Sequence, residues 1–206
     1  GGVLPRARLV DGEAFLREVR RTKSAFDVDG IRRAVTVAEA CVASVAEGVR
    51  PGRTERELQG AFTARMGRLG VATPAFDPVT CVAGAAPRSL VSDRTLRIGD
   101  LVHVRGGVIL DGWAGLLART RVVGTPSGPQ SAAAERASAA LGDAIAACRP
   151  GTVIGELRAP DAVLTVDGVG LGHEELDDDD TLRAADVVYV EILVDQVLVG
   201  DVVLVG

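Results

Sequence analysis

Two sequence frames occur twice in this chain, in the same order, and they restrict the fold more than any other feature. RPGRTEREL (50–58) returns as RPGTVIGEL (149–157), a shared R-P-G-x-x-x-x-E-L that each time follows an Ala-rich stretch. TLRIGDLVHVR (95–105) returns as TLRAADVVYVE (181–191), a shared T-L-R-x-x-D that runs into an alternating segment and ends on a charge. Paired segments repeated in order mark a duplicated supersecondary unit, so the sequence predicts two related α/β halves. Residues two apart on a strand share a face. Leu101, His103 and Arg105 therefore point one way, and Val102 and Val104 the other. The echo pairs Arg105 with Glu191. If the halves are related by a pseudo-twofold axis, an arginine and a glutamate approach one central site from opposite sides.

The elements between these marks follow from local signals. Asp11 can cap a helix over 12–22, and a second helix runs over 28–47. Thr54 and Glu57 form a capping box for a third, which Gly70 ends. Strands are expected near 79–83, 100–109 and 113–123. Ser127 opens a helix over 129–147, and two strands follow near 186–194 and 196–205. Helices beside antiparallel-looking strands read as α+β.

Bulk properties exclude several functions. A length of 206 residues suits one domain, 1–206, with 1–25 as a lead-in segment. Hydrophobic residues at 47% and charged residues at 25% describe a globular chain. A net charge of −5 gives no attraction to nucleic acid or an anionic membrane. No apolar run approaches the roughly 18 residues of a membrane helix, and the start does not read as a signal peptide. The three cysteines, Cys41, Cys81 and Cys148, are too widely spaced for a disulfide framework or a zinc knuckle. A cytoplasmic protein is expected.

The helix–RPG–T–EL unit, the GD-led V-x-V strand, the D-G-W-x(5)-R-T hairpin (111–120) and the later GVGLGHEE loop lie in an order that resembles the pita-bread fold of methionine aminopeptidase, prolidase, aminopeptidase P and creatinase. The likeness covers about 17–205. It implies two pseudo-symmetric α/β halves around a central antiparallel sheet, a homodimer, and no separate N-terminal creatinase-type domain in this chain. It also implies a site. The family's peptidases hold two divalent metals with two Asp, one His and two Glu, and the metals activate a bridging water. The matching positions here are Arg105, Leu116, Asp167, Glu191 and Gly200. That set sums to −1 where the family's carries four negative charges, and an arginine cannot shed its proton to become a ligand. No metal and no other cofactor is therefore expected. Creatinase works without metal through a histidine, but its position here is Arg88.

The candidate site residues are Glu191 and His173 as proton-moving groups, with Arg105, Arg88, Asp167, His103, Arg119 and Trp113 as binding groups. Two readings of Arg105 and Glu191 stay open. They form an ion pair filling a former metal site, or Arg105 binds a carboxylate or polarised carbonyl while Glu191 moves a proton. The functional expectation is a non-peptidase, metal-independent enzyme whose pocket is repurposed for a small molecule, as a lyase, isomerase or cyclase. The alternatives are an inactive binding or scaffold module and a residual Xaa-Pro peptidase-like hydrolase.

Overall fold

The computed structural model describes residues 10–84, 90–171, 173–174 and 176–206. In chain order the elements are α1 (Glu13–Arg21), α2 (Ala25–Gly48), α3 (Glu55–Arg68), β1 (Thr73–Pro74), β2 (Val79–Val82), β3 (Leu101–Leu110), β4 (Trp113–Val122), α4 (Gly128–Ala147), a single 3₁₀ turn (Ile154–Glu156), β5 (Val163–Val169), β6 (His173–Glu174), β7 (Val187–Val194) and β8 (Val197–Leu204). The strands form one antiparallel sheet in the order β1-β3-β4-β8-β7-β5-β6, with β2 also pairing β3. Around the β4–β8 seam the order is palindromic, so β3 corresponds to β7 and β4 to β8. That is the two-half α+β arrangement the repeats require.

The repeats recur because, in each half, one frame hydrogen-bonds to the other. Gly52 N–H donates to Leu96 O and Leu96 N–H to Arg53 O; in the second half Gly151 donates to Leu182 O and Leu182 to Thr152 O. Leu96 and Leu182 are both buried. The T-L-R-x-x-D segment closes a second matched turn. Asp100 accepts from Arg97 N–H and Asp186 from Arg183 N–H, each at 2.8 Å. The carbonyls of these two aspartates then accept from Val123 and Val205, one residue past the end of the hairpin that follows each. A conserved-looking pattern within one chain is thus a repeated hydrogen-bond circuit.

Local sequence sets the helices. Ser24 and Asp27 form a capping box that starts α2 at Ala25, earlier than its apolar pattern suggested, and Thr54 with Glu57 and Ser127 with Gln130 cap α3 and α4 in the same way. Asp11 does accept from Glu13 N–H, but Gly12 holds the cap position of α1. α2 lies directly on β4, since a Cβ on Gly115 would sit 2.2 Å from the backbone of Ala34. α4 packs against β7 and β8 over a second core. Arg21, at the end of α1, is buried and ties that helix to the second half. Its guanidinium donates to Asp186 and Asp180 and to the carbonyl of Thr181. Among the described residues no helix is long and apolar enough to cross a membrane.

The repeat also exposes an imperfection. Gly99 has φ +89°, and its counterpart Ala185 is held at φ 66°. A left-handed conformation costs an alanine about 1–2 kcal/mol, against about 0.5–1 kcal/mol of extra chain entropy lost by a glycine. Ala185→Gly is expected to raise stability by about 0.5–1 kcal/mol in a urea melt; a destabilised variant would show that the methyl contributes packing that outweighs the strain.

Candidate functional site

The centre of the sheet is a row of mutually paired residues. Val79 pairs Arg105, Arg105 pairs Ala118, Ala118 pairs Gly200, Gly200 pairs Glu191, and Glu191 pairs Thr165. Arg105 and Glu191 are three strand spacings apart, about 14 Å in a flat sheet. Between them stand only a methyl group and a glycine. With that space left open, the two long side chains reach across it, and Arg105 Nε donates to Glu191 Oε2 at 2.8 Å.

Two further side chains complete the cluster. Tyr189, two residues before Glu191 on the same face, donates its hydroxyl to the same Oε2 at 2.7 Å. The Phe76 ring lies under the Arg105 guanidinium, 5.0 Å from ring centre to Cζ, a cation–π contact. Burial disfavours a charged Arg105, but Glu191 and Tyr189 outweigh it and the guanidinium is held above its ordinary value. Burial, the Glu191 charge and the hydrogen bond push the Tyr189 phenol far above its ordinary value, so it remains a donor at any physiological pH.

The remaining candidates divide by position. His103, on the Arg105 face of β3, is buried, with Nε2 2.7 Å from the carbonyl oxygen of Gln196 in the β7–β8 turn. Asp167 pairs Tyr189 across β5 and β7 and is exposed. His173 lies in β6 opposite Val169. Arg88 lies outside the described residues. Trp113 and Arg119 are not brought to the pair, because strand alternation puts them on the face of β4 opposite Ala118. Trp113 is buried against α2, its ring 2.2 Å from where a Cβ on Gly30 would be, with Phe26 edge-on at 6.3 Å. Arg119 is a strap across the seam, donating to Gly200 O at 2.8 Å and to Asp201 at 2.6 Å. Tyr189 and Phe76 were not among the sequence candidates. Tyr189 was visible as the echo of His103; Phe76 comes from the loop before β2 and carries no local signal.

The positions that the resemblance assigns to metal ligands do not fit a metal pair. A fixed cation projects from Arg105. Leu116 fills the space over Gly107, where a Cβ would lie 2.6 Å from its Cδ2. At Gly200 a Cβ would lie 2.4 Å from the Tyr189 hydroxyl oxygen, so that tyrosine takes the room a side chain there would need. Among the described residues no three His, Cys, Asp or Glu side chains are grouped to hold an ion.

The comparisons with known proteins follow the architecture. The class is that of the pita-bread peptidases: the prolidase from Pyrococcus furiosus superimposes with a TM-score of 0.85 at 25% identity, over 94% of this chain and 65% of that one. An X-Pro aminopeptidase from Thermotoga maritima gives 0.84 at 18% identity, a likeness of fold. Residues 29–166 match the model of metallopeptidase family M24, and the chain belongs to that family. It is 29% identical to an Xaa-Pro dipeptidase of Pyrococcus horikoshii over 144 residues, 69% of this chain and 41% of that protein. It is 31% identical to the probable dipeptidase PepE of Mycobacterium tuberculosis over 160 residues, 77% of this chain and 42% of that one. The chain thus spans about two fifths of the length of these relatives. These findings overturn the expectation of a non-peptidase pocket turned to small-molecule chemistry: the relatives are named as peptidases, among them an Xaa-Pro dipeptidase and a probable dipeptidase, and the peptidase-like alternative is the one they favour.

The misfit of the ligand positions has a direct consequence. Protein purified without chelator is expected to carry well under one Mn, Co, Fe or Zn per chain by elemental analysis. One or two equivalents per chain would show that the ligands come from elsewhere.

Proposed function

We propose that this chain has a peptidase-like function directed at short peptides of the Xaa-Pro type, bound at the Arg105–Glu191 centre of the sheet. The observation that carries the reading is the M24 match over residues 29–166, together with relatives named as Xaa-Pro dipeptidase and dipeptidase. The site supports it with a guanidinium suited to a carbonyl or carboxylate and a carboxylate suited to an amine or a water proton. Glu191 is the one position of the family set that keeps its residue type. Any hydrolysis by the described side chains would rest on Glu191 as proton acceptor and Arg105 as the charge that steadies a developing oxyanion. We place the protein in a reducing compartment, the cytoplasm, because Cys41 and Cys148 are buried and not in disulfides.

The test is a panel of dipeptides. Ala-Pro and Gly-Pro are expected to bind measurably by calorimetry, and Ala-Ala more weakly. Glu191→Gln should reduce Ala-Pro binding, and any release of proline, by about tenfold or more, the scale of one charged hydrogen bond. Failure of every dipeptide to bind at millimolar concentration would remove the peptidase-like reading.

A further inference from the structure

β5 (Val163–Val169) leaves most of one backbone edge open. β7 pairs it from Val163 to Gly168 with no residue skipped, whereas β6, on the other side, reaches only Gly168 and Val169. Over Val163–Asp167 the backbone groups that point away from β7 meet no partner among the described residues. The matching edge of the first half is guarded. It is divided into β1 and β2, two and four residues long, and carries Pro74 and Pro78. Short strands, proline, lysine and bulges are the usual means of protecting an edge. VLTVDGV has neither proline nor lysine, and its unbroken register with β7 leaves no bulge. Val163 is 62% exposed, and Thr165 and Asp167, on the same face, are exposed as well. Asp161, at φ 60°, turns the chain just before the strand, and β6 closes the far end. What remains is a window of about five residues, about 17 Å long.

Such a window is filled by another extended strand, whose backbone supplies the hydrogen bonds and whose alternate side chains supply the selectivity. Proline is excluded wherever its missing N–H would face the edge. The charges decide which strand fits. Asp161 and Asp167 stand at the two ends, both exposed and neither in an ion pair among the described residues. A second copy of β5, lying antiparallel with Leu164 opposite Leu164, would set Asp161 against Asp167 at each end. Like charges directly opposed destabilise a strand pair. A strand with a basic residue at each end meets an acid there instead. We propose that β5 docks an extended, proline-free, basic peptide segment, which adds to the sheet as a further antiparallel strand. Asp161 and Asp167 select its basic ends, and Val163 and Thr165 face the side chains between them. This surface goes beyond the peptidase-like reading and does not depend on it, since the docked strand lies outside the Arg105–Glu191 pair, on the far side of β5 from Glu191.

The probe is the peptide acetyl-Lys-Val-Thr-Val-Thr-Val-Lys-amide, titrated onto the unaltered protein by calorimetry and by ¹⁵N–¹H spectra. Saturable binding is expected, with shifts and slowed exchange at amides within Val163–Asp167. N-methylation of the peptide at alternate residues separates its two edges. One alternate set should abolish binding and the other should change it less than about threefold, because an added strand bonds through one edge. Replacing both lysines by glutamate should weaken binding about tenfold or more. Asp167→Lys, which leaves one charge of each sign at the two ends, should remove that preference. Ala-Pro at millimolar concentration should not displace the peptide. No saturable binding would overturn the proposal, as would equal tolerance of both N-methyl sets or of lysine and glutamate. Protection of the same amides that rises with protein concentration, without peptide, would overturn it in favour of a second copy. Displacement by Ala-Pro would overturn it by placing the peptide at the Arg105–Glu191 centre.

Discussion

The two halves are joined through very little regular sheet. β4 and β8 share a single ladder pair, Ala118 with Gly200, and the rest of the seam is held by side chains. Thr120 Oγ1 donates to Leu198 O and accepts from Leu198 N–H, and Arg119 reaches over to Gly200 O and Asp201. The small residues that make this crossing possible are also the ones that leave the centre open. A larger side chain at 118 or 200 would stand between Arg105 and Glu191, and at 200 it would displace the Tyr189 ring. Seam and site are thus one constraint, so the chemistry of the centre cannot change independently of how the halves meet.

The electrostatics follow from that crowding. Three polar groups share a small space, and one carboxylate oxygen receives two of them. A carboxylate 13% exposed would be costly alone, but it is paired with a guanidinium that is itself part-exposed and lies on an aromatic ring. Such a pair stays charged because each partner holds the other, and the portion open to solvent keeps its attraction moderate. The result is a neutral, polar centre.

Much of this was legible from residues alone. The repeated frames located the two halves and paired Arg105 with Glu191, because each frame is one half of a hydrogen-bond circuit that any copy must keep. Parity on β4 could have gone further. Leu116 and Ala118 share a face with the site, so Trp113 and Arg119 must lie on the other, yet aromatic and cationic character drew attention to them. Phe76 was not legible, since its position depends on how the loop between β1 and β2 runs along the edge of β3. The functional expectation failed for a different reason. The family likeness was read correctly from the motifs, but the altered ligand positions were weighed above it, and the relatives named as dipeptidases favour the peptidase-like alternative instead.

The central claim is that Arg105 and Glu191 form a solvent-open binding pair and not merely a buried structural one. A double-mutant cycle of Arg105→Met and Glu191→Gln, read by urea denaturation without ligand, tests it most directly. An open site predicts that each single change costs no more than about 2 kcal/mol and that the coupling is about 1 kcal/mol or less. Single losses of about 3–5 kcal/mol, largely recovered in the double variant, would be the signature of a sealed structural pair and would contradict the account.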